Sequence, residues 1–388
     1  MRRLRTTSTR RLYAIAAAVA VLAAGGGIAQ AALGGSDPRP APKPLDRAVL
    51  DAVRAPAVSG VSARIEFTNG LLPGGSLPDG GGSPLATGAE GRLWLAGDGA
   101  LRLELQSDAG DAQITSDGER ITVYDSTSNT VYRMDAPRED AQPEREDEPA
   151  TLADVRRGLD RLAQAWTLSG AKPGSTGGQP SYTVRIAPKD DGGLLGAAEL
   201  AWDAARGVPL RAAVYAQGQE EPVLELAATD VSYGEIPAAD LEASPPADAR
   251  VVEIDPPAQD AHGEPVHVRG VDAVQQRLGF ELAAPDELAG LPRKSVRLVQ
   301  VNGSPGALSI YGEGMGAILV FQHEAPAEEP KRGGDGLELP AVNIDGATGT
   351  EIATPLGTIV SFSRDGVSYV VAGSVPPVAA ENAARGLR

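Results

Sequence analysis

From Ser59 onward, apolar and polar residues alternate with a period of two, the signature of half-buried strands. Val61, Ala63, Ile65 and Phe67 share one face. Leu93 and Leu95 continue the pattern, and Leu101, Leu103 and Leu105 then oppose Arg102, Glu104 and Gln106. Gly97-Asp98-Gly99 between those runs predicts a hairpin turn. Ile114, then Ile121 and Val123 beyond Asp117-Gly118, and a run from Thr130 to Met134 repeat the theme. Residues 59–134 therefore read as an antiparallel meander, each strand with one apolar face.

One helix interrupts it. Thr151 and Asp154 form a capping-box pattern. Leu152, Val155, Leu159, Leu162 and Trp166 follow at spacings of 3, 4, 3 and 4, one apolar stripe. Strands resume at Tyr182-Val184-Ile186, Leu200 to Trp202, Leu210-Ala212-Val214 and Val223 to Leu226. Leu45 to Arg54 suits a short amphipathic helix. Beyond a Pro-rich stretch lie a short helix (Val271, Val274, Leu278), strands including Ser295 to Val301, Ala307 to Tyr311, Ala317 to Gln322, Thr358 to Ser363 and Ser368 to Gly373, and a final helix after Pro376-Pro377. Strand runs with separate helices predict an α+β class for both halves.

The N-terminus changes the setting. Arg2, Arg3, Arg5, Arg10 and Arg11 precede an uncharged run from Leu12 to Leu33 that contains Ala29-Gln30-Ala31. This predicts export, with residues 1–31 either a cleaved signal peptide or a membrane anchor. A Pro-rich linker over 32–44, a first domain over 45–243, a linker over 244–265 and a second domain over 266–388 complete the division.

Charge and chemistry then narrow the function. The net charge of −17 and pI near 4.7 speak against nucleic acid as a partner. The chain has no Cys, which removes disulfides, thiol catalysis and Cys-ligated zinc. His262, His267 and His323 offer little for a metal site. The sequence has no GxSxG, HExxH or GxxxxGK[ST]. Gly312 to Gly316 falls between two strands, where it reads as a glycine hairpin and not as a phosphate loop. Arg138 to Glu148 lacks the ligand alternation and the Gly of a calcium loop. The expectation is a protein without enzymatic activity or cofactor.

Apolar area is the remaining clue. The predicted sheet has more of it than one four-turn helix and a short N-terminal helix can hide, and exposed apolar area of that extent marks binding surfaces. Closure into a full barrel, or docking of the second domain, would hide it instead. Phe67, Leu95, Leu103, Leu105, Val123, Val184, Trp202 and Val214 are the expected lining, with Leu159 and Trp166 on the covering helix. A register error of one residue would invert that set. Such a lining suits an acyl chain. The long loop Asn69 to Gly88 carries Leu71, Leu72, Leu77 and Leu85, either as a flap over that surface or as packing on the sheet edge.

An ordered set of short matches resembles the LolA/RseB superfamily of exported lipoprotein carriers and sensors. These are Gly91-Arg92-Leu93-Trp94, Ala100-Leu101-Arg102-Leu103-Glu104, Ser116-Asp117-Gly118, Tyr182 to Pro188, Trp202-Asp203 with Gly207-Val208-Pro209-Leu210, and Thr229 to Gly234 with Ile236-Pro237. The stretch Tyr369 to Pro376 also resembles the end of the superfamily's C-terminal domains. The resemblance implies an unclosed antiparallel β-barrel capped by helices, a smaller C-terminal α+β domain, and lipid or lipoprotein acyl chains as partners. It also implies an alternative: an RseB-like sensor that contacts a membrane anti-sigma factor. The superfamily's lid arginine has no match here, so carrier and sensor both stand.

Overall fold

The computed structural model describes residues 38–71, 83–136, 150–189, 193–254, 268–301, 304–325 and 339–387. The N-terminal stretch expected to direct export, Leu72 and Leu77 of the long loop, the acidic stretch 138–148, and His262 and His267 lie outside the described residues. No helix among the described residues is long and apolar enough to cross a membrane. The chain divides into two units: residues 1–71, 80–189 and 196–255, and residues 72–79, 190–195 and 256–388.

The first unit opens with α1 (Leu45–Arg54) and is otherwise dominated by one sheet. Its strands are β1 (Gly60–Asn69), β2 (Ala89–Ala96), β3 (Leu101–Ser107), β4 (Gly110–Ser116), β5 (Arg120–Asp125), β6 (Thr130–Asp135), β7 (Trp166–Leu168), β8 (Lys172–Thr176), β9 (Gln179–Pro188), β10 (Leu195–Asp203), β11 (Pro209–Ala216), β12 (Leu224–Tyr233) and β13 (Arg250–Ile254). The order is β13-β6-β5-β4-β3-β2-β1-β12-β11-β10-β9-β7, with β8 also on β9. The terminal strands β13 and β7 do not pair with each other, so the sheet is an unclosed barrel. The helices are few: α2 (Pro84–Thr87), α3 (Leu152–Ala165) and α4 (Ala238–Leu241).

Local chemistry sets the turns. Gly118 takes φ +90°, and the Asp117 carboxylate accepts from the Glu119 and Arg120 N–H groups at 2.9 and 2.7 Å, closing the β4–β5 hairpin. The predicted capping box of α3 is present: Thr151 Oγ1 accepts from Asp154 N at 3.2 Å, and Asp154 Oδ2 accepts from Thr151 N at 2.9 Å. The hydrogen bonds from Thr151, joined by one from Arg157, hold the Asp154 carboxyl at about 2. Gly91 in β2 has no room for a side chain, since a Cβ there would sit 2.0 Å from the Glu104 carbonyl oxygen. Gly91→Ala is expected to force β2 off β3 and to lower the melting temperature by several degrees in a thermal scan.

Two expectations need correction. Trp166 fits the helical stripe by spacing, yet its backbone is extended (φ −128°, ψ 143°) and it opens β7 opposite Pro188. Pairing with the edge of β9 overrides the helical period there. The stretch 244–265, read as a linker, contains β13, which runs parallel to β6 with Val252 opposite Tyr132.

The second unit carries α5 (Val271–Gln275), an eight-stranded sheet and α6 (Pro377–Arg385). The strands are β14 (Glu287–Leu288), β15 (Leu291–Val301), β16 (Ser304–Tyr311), β17 (Ile318–Glu324), β18 (Ala341–Ile344), β19 (Ala347–Thr354), β20 (Gly357–Arg364) and β21 (Val367–Gly373). Their order is β14-β15-β16-β17-β21-β20-β19-β18. Tyr311, Ile318, Val320, Val360 and Val371 are fully buried with Ala380, Ala383 and Ala384 of α6. The small alanines let the helix lie close on the sheet. The glycine-rich segment after β16 forms a short 3₁₀ turn, Gly314–Gly316, between two strands as expected.

Candidate binding face

The register of the first unit's sheet brings Phe67, Leu95, Leu103, Leu105 and Val123 of the expected lining to one face. The row Val231–Ala63–Leu93–Leu103–Ile114–Val123–Tyr132 crosses from β12 through β1 to β6. A second row runs Tyr233–Val61–Leu95–Leu101–Ser116–Ile121–Met134, and a third runs Ile65–Gly91–Leu105–Ala112. Strand alternation makes these rows neighbours on the same surface. On the far side of β12, Leu226 lies opposite Ala212 and Leu224 opposite Val214, so the face continues into β11.

Covering is uneven along this face. Phe67 and Leu105 are buried in a cluster with Val61, Ile65, Ala112 and Leu210. Leu85, from the long loop, packs against the same cluster, while Asn69 Nδ2 donates to its carbonyl at 3.0 Å. That one leucine therefore packs on the sheet. At the other end, Tyr182, Val184, Leu200 and Trp202 pack under Leu45, Ala48 and Val49 of α1. Trp202 is 4% exposed and Val214 8% exposed. Their apolar surface is already covered by the protein's own atoms. Across β2–β6, Leu93, Leu95, Leu101, Leu103, Ile114, Ile121, Val123, Tyr132 and Met134 are all only half-buried, with Leu93, Leu95 and Leu103 packed along the edge of the first cluster.

The helix α3 lies along α1. Arg156 Nε donates to Asp46 Oδ2 at 2.7 Å, and Arg54 Nε donates to the Ala150 carbonyl at 2.8 Å. Of its apolar stripe only Val155 is buried; Leu159 is half-buried and Leu162 is 38% exposed. The ten expected residues thus separate. Phe67, Leu95, Leu103, Leu105 and Val123 belong to β1–β5, Val184 and Trp202 lie beneath α1, and Val214 sits on β11. Leu159 is on α3, and Trp166 begins β7.

The opposite face of the sheet is polar, and sequence reasoning did not single it out. Glu199 accepts from Arg185 Nη1 at 3.0 Å, Arg211 Nη1 at 2.8 Å and the Tyr215 hydroxyl at 2.9 Å. Arg211 also pairs with Glu225. Burial pushes the Glu199 carboxyl up, but the three hydrogen bonds outweigh it and hold the group below the ordinary value of 4.5. A lowered carboxyl stabilises the fold above its ordinary value and loses that contribution as pH falls through the folded value. Glu199→Gln is therefore expected to lose less stability than the parent protein between roughly pH 5 and pH 3, read from urea unfolding at each pH. Among the described residues no group of acidic or histidine side chains is arranged to hold a metal ion.

An unclosed antiparallel barrel with one wall apolar and half-covered is the architecture these residues define. Residues 78–142, which include β2–β6, match the family profile DUF2092, described as a predicted periplasmic protein. No curated protein matches the chain. Among solved structures it is similar to MucB in complex with the periplasmic part of MucA, at 17% identity and TM-score 0.40, over 89% of this chain and 97% of that one. The Pseudomonas aeruginosa MucA/MucB complex gives 18% identity and TM-score 0.41, over 87% and 94%. A putative outer membrane lipoprotein-sorting protein domain from Vibrio parahaemolyticus gives 12% identity and TM-score 0.23, over 51% and 95%.

Proposed function

We infer that the half-covered wall of β1–β6 binds the acyl chain of a lipid or lipoprotein, and that the protein works outside the cytoplasm as a non-enzymatic carrier of such chains. One observation supports this reading above the others: a contiguous apolar surface of nine side chains, from Leu93 to Met134, that the described helices leave half-exposed. Exposed apolar patches of such extent on a folded domain serve binding. Burial releases ~0.8 kcal/mol per CH₂, so a dozen methylenes supply ~10 kcal/mol gross. Association costs reduce that figure to the range of micromolar binding. Leu, Ile, Val and Met contribute the contacts, and no polar group on β1–β3 of this face demands a partner.

The test is a titration of the full chain with a fluorescent fatty acid and with a short-chain analogue of the same headgroup. Saturable binding that weakens roughly tenfold for every two methylenes removed supports the reading. Binding that ignores chain length contradicts it.

A further inference from the structure

The polar face of the first unit holds an open groove of about 1240 Å³ that crosses four strands, from Gln106 on β3 over β2 and β1 to Thr229 on β12. Its charges are arranged in an uncommon way. Arg64 of β1 stands directly opposite Arg92 of β2, and two residues along the strand Glu66 stands directly opposite Glu90. Like charges placed directly opposite each other destabilise a sheet, and alternating their sign across the ladder stabilises it. This sheet does so a few strands away, where Arg185, Glu199, Arg211 and Glu225 alternate from β9 to β12 and pair. In the groove no ion pair among the described residues joins Arg64, Glu66, Glu90 or Arg92 to anything. Asp230 and Glu104 flank the two arginines in register, but Glu104 is occupied by Arg102 and Gln113. Burial raises the Glu66 carboxyl, and the charges of Glu90 and Glu225 raise it further.

A positive row and a negative row thus lie side by side, separated by two residues of strand, about 6.8 Å at 3.4 Å per residue. An extended peptide repeats its side chains on one face at that same interval. Two facing guanidiniums grip one carboxylate, and two facing carboxylates grip one ammonium. We propose that this groove docks an extended peptide segment, from a partner protein, in which an acidic and a basic side chain stand two residues apart. A zwitterionic lipid headgroup carries the same two charges, but it would fill little of a groove of about 1240 Å³, whereas several residues of extended chain fit. The site lies on the face opposite the apolar wall and does not depend on the acyl-binding reading.

The test uses the full chain and three fluorescein-labelled heptapeptides of threonine, read by anisotropy. One carries Glu and Lys at its second and fourth positions, one Glu at both and one Lys at both. The mixed peptide is expected to bind saturably and at least tenfold more tightly than either control. Arg92→Glu, at an exposed position, is expected to cost tenfold or more, and exchanging both rows together (Arg64→Glu and Arg92→Glu with Glu66→Arg and Glu90→Arg) to restore affinity with the preferred order of Glu and Lys reversed, read with a fourth peptide in which the two are exchanged. A merely structural role for these residues would give no such reversal. Leu103→Glu is expected to leave peptide binding unchanged. Equal binding of the three peptides, no saturable binding, or indifference to Arg92→Glu overturns the proposal. Displacement of the mixed peptide by millimolar glycerophosphoethanolamine, with that compound binding as tightly as the peptide, overturns it in favour of a lipid headgroup.

Discussion

Leu103→Glu abolishes acyl-chain binding while the protein stays folded. Leu103 sits mid-row between Leu93 and Ile114 on the half-covered wall. Without ligand, a glutamate there reaches water past its half-exposed neighbours, so the folded state survives. With an acyl chain laid over it, the carboxylate is either buried or keeps the chain away. Burying an ionised carboxylate without a partner costs far more than the several kcal/mol that the wall offers a fatty chain. A loss of at least a hundredfold follows, about 2.7 kcal/mol or more. Fluorescent fatty-acid titration, with a thermal scan as the folding control, reads both halves. Normal binding by a folded Leu103→Glu variant would show that the ligand, if any, lies elsewhere.

Leu105→Ala, two residues along the same strand, has the reverse signature. Leu105 is 1% exposed and packs with Ile65, Phe67 and Ala112. Its cross-strand neighbour is Gly91, and the leucine Cδ2 reaches to 3.2 Å from where a Cβ of Gly91 would be. Truncation therefore opens a gap beside a residue with no side chain to fill it. Leu→Ala substitutions in cores cost about 2–5 kcal/mol, with the upper end reserved for sites that cannot collapse. The expected cost is about 4 kcal/mol. It would appear as a lower urea midpoint for the first unit at unchanged slope. A change below about 1 kcal/mol would mean that the cluster rearranges around the gap.

These two leucines show what the chain announces and what it withholds. Both fall on the predicted face, because a period of two fixes parity wherever alternation is clean, as from Val61 to Phe67 and from Leu101 to Leu105. The Thr151–Asp154 box and the Asp117-Gly118 turn were legible for the same reason: their partners lie within three residues. Covering is a different matter. Leu103 and Trp202 look alike in sequence, yet one is only half-buried and the other sits under α1, a contact between residues more than 150 positions apart. Trp166 kept the helical spacing but obeyed the edge of β9. β13 joined β6 in parallel from inside a Pro-rich stretch, a long-range pairing that leaves no local turn to read. The charge rows of Arg64, Arg92, Glu66 and Glu90 resemble any solvated face until the register sets like against like.

The central claim is the location of the hydrocarbon, and methyl NMR with a spin-labelled stearic acid tests it most directly. At stoichiometric ligand, the methyl signals of Leu93, Leu103, Ile114 and Val123 are predicted to broaden, while those of Leu319 and Ile359, exposed on the second unit, keep their intensity. Broadening confined to the second unit, or uniform retention of intensity across the β1–β6 wall, would contradict the account.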